Sequence, residues 1–209
     1  TAAIFILADR IGAFFRSHFR TLIRGQAAYA EKLEESLAAL DYAQGRDGVI
    51  AEIIDLLKNN IACSAVHLFI ENNQGSLALV GSSDEASISG DHSFPSQSPA
   101  IDLMLNMDVS ILLKTEIVTN YDYNEVKGEF LRLMERFNAD ALILLREGRT
   151  INGALLLGSK LTGGDFLAYD YDTLRRIYGK LFVTAYYLKN VAQESLVMTV
   201  DRELEFSEQ

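Results

Sequence analysis

The sequence predicts an α+β fold with a central antiparallel sheet, helices on both faces of the sheet, and long helices at the N and C termini. Two hairpin patterns indicate the sheet, one over residues 61–80 and one over residues 139–159. Helical patterns separate these hairpins and continue to both ends of the chain. Strands grouped in hairpins with helices between them are typical of α+β proteins.

The first 41 residues follow a helical pattern. Apolar residues recur there at intervals of three and four, which is the spacing of a heptad seam. The seam includes Phe19, Ile23, Leu33, Leu37 and Leu40. A seam this narrow is buried by packing against another helix, because it does not provide enough apolar surface for a globular core.

The middle of the chain is predicted to mix short helices and strands. In order, the predicted elements are a helix at 49–60, strands at 61–70 and 76–80, a helix at 100–107, a strand at 109–113 and a helix at 121–137. Residues 81–98 are polar, contain both prolines of the chain, and indicate a surface loop. Ser98 and Pro99 predict the N-cap and the first position of the helix that follows.

The last third of the chain has the clearest pattern. Two buried strands flank a turn at Glu147–Arg149, and a loop with Gly163 and Gly164 leads into a helix from Tyr169 to the end. The apolar seam of this helix includes Leu174, Ile177, Leu181 and Leu188. A helix of about 40 residues is roughly 60 Å long, so it extends beyond a domain of this size.

Two short motifs in this region carry a family resemblance. They are Gly153-Ala154-Leu155-Leu156-Leu157-Gly158 in the second hairpin and Gly164-Asp165-Phe166-x-x-x-Asp170 before the last helix. Together with the order of elements from Val49 to Asn190, they resemble the GAF domain, a small sensory module. The resemblance divides the chain into a coiled-coil-like helical linker (1–44), a GAF-like sensory domain (45–190) and the start of a C-terminal signalling helix (191–209).

The resemblance implies a regulatory module of a bacterial signal-transduction protein, similar to a sensor histidine kinase of a two-component system. The chain lacks an initial Met and ends within a helical pattern, so we expect a piece of a longer protein. Asp9-Arg10-Ile11, followed by Phe14 and Phe15, looks like a juxtamembrane linker and implies a membrane domain upstream. We expect a homodimer through the two seams; the alternative is that both end helices cap a monomer.

Composition excludes several classes of function. The net charge of −10 argues against nucleic-acid binding, which requires clustered Lys and Arg. Cys63 is the only cysteine, so no internal disulfide can form, and a reducing cytoplasm is expected. Three histidines without metal-ligand spacing do not predict a zinc site. We expect a cytoplasmic domain, or the cytoplasmic part of a membrane-bound sensor.

The resemblance places a ligand pocket over the sheet, under the short helix and the middle loop. The candidate pocket residues are His67, Phe69, Met104, Tyr121 and Tyr123. Such an apolar, aromatic lining suits a small organic ligand better than a phosphate. A haem role for His67, a bilin role for Cys63 and a cyclic-nucleotide site at 119–125 are weaker alternatives, and no cofactor is predicted.

No catalytic signature is present in the sequence, and we expect this segment not to be an enzyme. The resemblance leaves one enzymatic alternative, because some GAF-like proteins reduce methionine sulfoxide. That activity needs paired reactive cysteines, and Cys63 alone cannot supply them. A third alternative is a structural dimerisation module without a ligand. The identity of the ligand and of any output domain stays open.

Overall fold

The computed structural model describes residues 29–87 and 92–207 of the 209-residue chain. The predicted seam residues Phe19 and Ile23 lie outside these described residues. The helices are α1 (residues 29–38), α2 (Gly45–Ile61), α3 (Pro99–Asn106), α4 (Lys114–Thr119), α5 (Lys127–Arg136) and α6 (Ala168–Ser207). The strands are β1 (Val66–Glu71), β2 (Ser76–Ser82), β3 (Ser93–Pro95), β4 (Ile111–Leu113), β5 (Ala139–Glu147) and β6 (Thr150–Gly158).

The six strands form one antiparallel sheet in the order β3-β2-β1-β6-β5-β4. The two predicted hairpins, β1–β2 and β5–β6, lie side by side, and β1 pairs with β6 in the centre of the sheet. Helices cover both faces of the sheet. The predicted α+β fold with a central antiparallel sheet is therefore confirmed.

The alternation of residues along β1 separates the two faces of the sheet. Val66, Leu68 and Ile70 pack with α1, α2 and α6, on what we call the α6 face. Phe69 points to the other side and packs with α3, α4 and α5, on the α3–α5 face. Because neighbouring side chains of a strand point to opposite faces, each central strand contributes to both cores.

The predicted first strand begins five residues too early. Helix α2 continues to Ile61, and Ala62 ends it in the left-handed conformation with φ of 52°. Cys63 then forms a single bridge with Lys160, so regular pairing begins only at Val66. A run of small and apolar residues is compatible with both a helix end and a strand, and the sequence pattern does not separate the two.

Two further predictions of secondary structure are corrected. The predicted loop at 81–98 contains the edge strand β3, in which Phe94 packs into the α3–α5 face. The predicted helix at 121–137 is a 3-10 turn at Tyr121–Tyr123 followed by α5, and the short helix α4 precedes it. Strand β3, helix α4 and the 3-10 turn are three to six residues long, which is shorter than the windows over which an apolar period is recognised in a sequence. The predicted Ser98 cap is confirmed, with Ser98 Oγ accepting from Ile101 N–H.

The predicted seam residues lie inside the chain rather than on its surface. Each described one is at most 5% exposed and packs in the core of the α6 face: Leu33, Leu37, Leu40, Leu174, Ile177, Leu181 and Leu188. Around this core, Arg176 pairs with Glu34 at 2.5 Å, and the Tyr187 hydroxyl donates to the Tyr42 carbonyl at 3.1 Å. The chain itself therefore covers these seven residues, and their role in a dimer interface stays a prediction.

Helix α6 is 40 residues long, as predicted, and its first half packs on the sheet. Tyr178 donates its hydroxyl to the carbonyls of Leu144 and Arg146 on β5. Lys189 binds the Glu71 carboxylate at 2.8 Å and the Ile151 carbonyl at 2.9 Å. Within the described part of the chain, neither α6 nor any other helix combines the length and apolar character needed to cross a bilayer.

Candidate functional site

The structure brings four of the five predicted pocket residues together on the α3–α5 face. His67, Phe69, Met104 and Tyr123 are fully buried there. The Tyr123 hydroxyl donates to Glu116 at 3.4 Å, and burial and the Glu116 charge raise the pKa of Tyr123 to about 12. Tyr121 does not join this group, because its side chain is 84% exposed. A ligand role for the four buried residues stays a prediction.

His67 is the most polar member of this buried group. Its Nδ1 lies 2.8 Å from Ser82 Oγ, and its ring centroid lies 6.1 Å from that of Phe137. Its Nε2 is buried, and the backbone of Phe137 interacts with the imidazole. Burial lowers the pKa of His67 below its ordinary value, so the imidazole is neutral in the folded protein near pH 7.

The lowered pKa of His67 predicts a loss of stability in acid. In the unfolded chain His67 binds a proton near pH 6.5, whereas in the folded chain it binds the proton only at lower pH. The free energy of unfolding therefore decreases as the pH drops below about 6.5. We expect it to decrease less steeply with falling pH in His67→Leu. Urea unfolding between pH 5 and pH 8 checks this, with the exposed His92→Gln as control. Identical slopes for wild type and His67→Leu would contradict it.

A groove opens beside this buried group, between β3, α3 and α5. We call it the α3–α5 groove; its cavity volume is about 410 Å³. Phe94, Ile101 and Leu133 supply apolar lining, and Arg132 and Arg136 line the same cavity with Glu129. None of the five pocket residues predicted from the sequence lines this groove. The available signal was the pair of arginines four residues apart, because such spacing places both on one helix face.

A second polar site joins three segments at the start of α6. Lys160 Nζ lies 2.7 Å from Asp170 Oδ1 and 2.6 Å from the Ile61 carbonyl oxygen, and both charged side chains are buried. Asp170 Oδ2 also accepts from the Leu167 N–H at 2.9 Å, just before the first residue of α6. A carboxylate in this position stabilises the helix N-terminus. The site therefore fixes where α6 begins.

Cys63 lies next to this site but is not an activated nucleophile. Its side chain is fully buried, and burial raises the pKa of its thiol to about 11. At neutral pH the thiol is therefore protonated, whereas thiol chemistry proceeds through the thiolate. Among the residues that the structure describes, no group of three or more His, Cys, Asp and Glu side chains is arranged to hold a metal ion.

The sequence matches no protein-family model and no curated protein. Solved structures match the fold. The GAF domain of a phosphoenolpyruvate-protein phosphotransferase from Acinetobacter is 10% identical, with a TM-score of 0.53 and coverage of 79% of this chain and 95% of that one. Residues 122 to 287 of a methyl-accepting chemotaxis protein are 9% identical, with a TM-score of 0.51 and coverage of 78% and 98%.

A third similar structure is an enzyme, the free methionine-R-sulfoxide reductase of Neisseria meningitidis in complex with its substrate. It is 12% identical, with a TM-score of 0.51 and coverage of 80% of this chain and 93% of the reductase. At such low identities, the likeness concerns the fold and not the chemistry. The GAF structure aligns over almost its whole length with the sheet and helices described above. The chain therefore has the GAF fold.

Proposed function

We propose that this chain is a regulatory module of a bacterial signal-transduction protein, in which α6 carries the output. The observation that supports this most is the single helix α6, which is continuous over 40 residues from the sheet onward. At 1.5 Å per residue it is about 60 Å long, which exceeds the width of a domain of this size. A rigid helix that extends from a domain can transmit a movement to whatever follows it.

The sheet connects an input side to this output. The groove and the buried His67 lie on the α3–α5 face, whereas α6 packs on the opposite face of the same strands. Gly153 allows β6 to lie close to both β1 and α6. An added Cβ at this position would lie 2.4 Å from the Phe69 carbonyl oxygen on β1 and 3.4 Å from Ala185 on α6. Such close packing would pass a shift of these strands on to α6. A ligand that binds one arrangement of the strands and α6 more tightly would shift the equilibrium between the two arrangements towards it.

We further propose that the module is a homodimer, through a different face of α6 from the buried seam. On the outward side of α6, Val183 is 53% exposed and Tyr186 is 55% exposed. The Phe182 and Tyr186 rings stack on each other with centroids 6.4 Å apart. Gly179 lies one turn before them with no atom near its Cβ position, so a second helix has room to approach closely. A second copy of the same helix matches this apolar face.

The dimer is tested by sedimentation velocity over micromolar to high-micromolar concentrations. We expect the wild-type chain to sediment as a dimer and Val183→Glu to sediment as a monomer, because a buried carboxylate at an apolar interface lacks a partner. Val118→Glu is the matched control, since Val118 on α4 is 50% exposed and lies outside α6. A monomeric wild type, or equal behaviour of the two variants, would refute the proposed interface.

Two other functions have less support. A sulfoxide reductase that uses two thiols does not fit a chain with one buried, protonated cysteine. A structural dimerisation module without a ligand would leave the α3–α5 groove without a role. A histidine-kinase output and an upstream membrane domain remain part of the proposal for the full-length protein. The reducing cytoplasm fits the unpaired thiol.

A further inference from the structure

We propose that the α3–α5 groove binds a small organic acid, with one carboxylate and an apolar body, as the input of this module. The inference rests on the proposed regulatory function and names the ligand class for it. The cavity of about 410 Å³ lies within the range of small-molecule sites. None of the residues first predicted to line a pocket lines this groove, so the site is distinct from the buried group around His67.

The two arginines that line the groove favour an anionic group on the ligand. Arg132 and Arg136 lie one turn apart on α5, and Glu129 is the carboxylate that lines the cavity with them. Arginine binds carboxylates through two parallel hydrogen bonds, which favours this ligand group.

One of the two arginines is held in place by its surroundings. Arg136 Nη2 donates to the Ser93 carbonyl oxygen at 2.8 Å, and its guanidinium carbon lies 4.5 Å from the centre of the Phe137 ring. These contacts fix the guanidinium beside the groove before any ligand arrives. A preorganised group loses less conformational entropy on binding, which raises affinity. Arg132 is exposed and supplies the second, adjustable contact.

The apolar lining of the groove favours a ligand whose remaining part is apolar. Phe94 and Ile101 are buried at the base of the groove, and Leu133 on α5 is half-buried beside them. An aryl or branched aliphatic group would cover this surface and gain the hydrophobic contribution. A nucleotide fits less well than a monocarboxylate, because its phosphates would bring several negative charges beside the Glu129 carboxylate. The chemistry therefore indicates an acid such as an aryl-acetate or a branched-chain carboxylate.

Isothermal titration calorimetry on the full chain tests this proposal. The probes are phenylacetate, 3-phenylpropionate and 4-methylpentanoate, each compared with its uncharged amide. We expect at least one acid to bind about tenfold more tightly than its amide, because the amide cannot form the charged pair. Arg132→Met should weaken that acid about tenfold and leave the amide unchanged, whereas Glu129→Gln should strengthen the acid.

Arg175→Met is the matched control, because Arg175 is an exposed arginine on α6, away from the groove. Equal binding of acid and amide, no effect of Arg132→Met, or no binding of any probe at millimolar concentration would overturn the groove proposal. The proposed regulatory function is tested by a different outcome. If an acid binds in the groove but α6 does not move, the groove proposal stands and the regulatory role is refuted. If an unrelated compound moves α6 and no acid binds, the regulatory role stands and the groove proposal is refuted.

Discussion

Lys160→Met is expected to reduce the free energy of unfolding by about 3–5 kcal/mol, which is the typical cost of removing one partner from a buried ion pair. In the wild type, Lys160 Nζ lies 2.7 Å from Asp170 Oδ1. The substitution leaves the Asp170 carboxylate buried without this cation. It also removes the hydrogen bond to the Ile61 carbonyl, which joins the end of α2 to the start of α6. Urea unfolding at pH 7 measures the loss.

The matched control for this ion pair is a similar pair near the surface. Lys114 and Asp140 lie 3.1 Å apart with side chains 40% and 27% exposed, against 7% and 6% for Lys160 and Asp170. Lys114→Met should cost at most about 1 kcal/mol. The double variant Lys160→Met/Asp170→Leu should recover part of the loss, because it leaves no unpaired charge. Equal losses for Lys160→Met and Lys114→Met would refute the assigned role.

Gly153→Ala is expected to destabilise the fold by about 2–3 kcal/mol, the upper part of the range for inserting a methyl group into a packed core. The new Cβ would lie 2.4 Å from the Phe69 carbonyl oxygen, a backbone atom that cannot rotate away. Strands β1 and β6 would have to separate at the centre of the sheet, where Gly153 pairs with Ile70. A lower urea midpoint measures the effect.

Gly164→Ala serves as the control for this substitution. No atom lies within 4 Å of its Cβ position, so the change should stay within about 0.5 kcal/mol of wild type. Gly153→Ala with wild-type stability would mean that β1 and β6 do not approach as closely as described. The comparison also tests the physical basis of the motif from Gly153 to Gly158, because a Cβ at Gly158 would lie 2.3 Å from Ser64 Oγ.

Long elements with a strong pattern were predictable from the sequence. The continuous apolar runs of β5 and β6, and the apolar period in α6, identified the hairpin and the last helix almost to the residue. The short elements β3 and α4 were not predictable, because three to six residues are too few to distinguish a helical from a strand period in the sequence. The helix that covers each heptad seam was not predictable either. A heptad seam requires a neighbouring helix, and the sequence does not say whether that helix belongs to the same chain.

The candidate site was predictable only in part. The apolar members of the buried group, Phe69, Met104 and Tyr123, were named only because the family resemblance places a pocket on that face, and all three are buried there. The α3–α5 groove was not predictable, because it forms where α5 approaches the edge strand β3, about 40 residues away in sequence. The hydrogen bond from Arg136 to the Ser93 carbonyl spans that separation. Such a contact depends on tertiary packing and leaves no local signal.

The most direct test of the regulatory role is a distance measurement between the two α6 helices of the proposed dimer. A spin label on Lys180→Cys would report it by double electron–electron resonance, since Lys180 is exposed and the buried, protonated Cys63 resists labelling. The ligand is an acid that binds in calorimetry or, failing that, a compound that raises Tm in a thermal-shift screen. We predict one defined distance that shifts when the ligand saturates the protein. An absent dipolar signal, or an unchanged distance with ligand bound, would contradict the account.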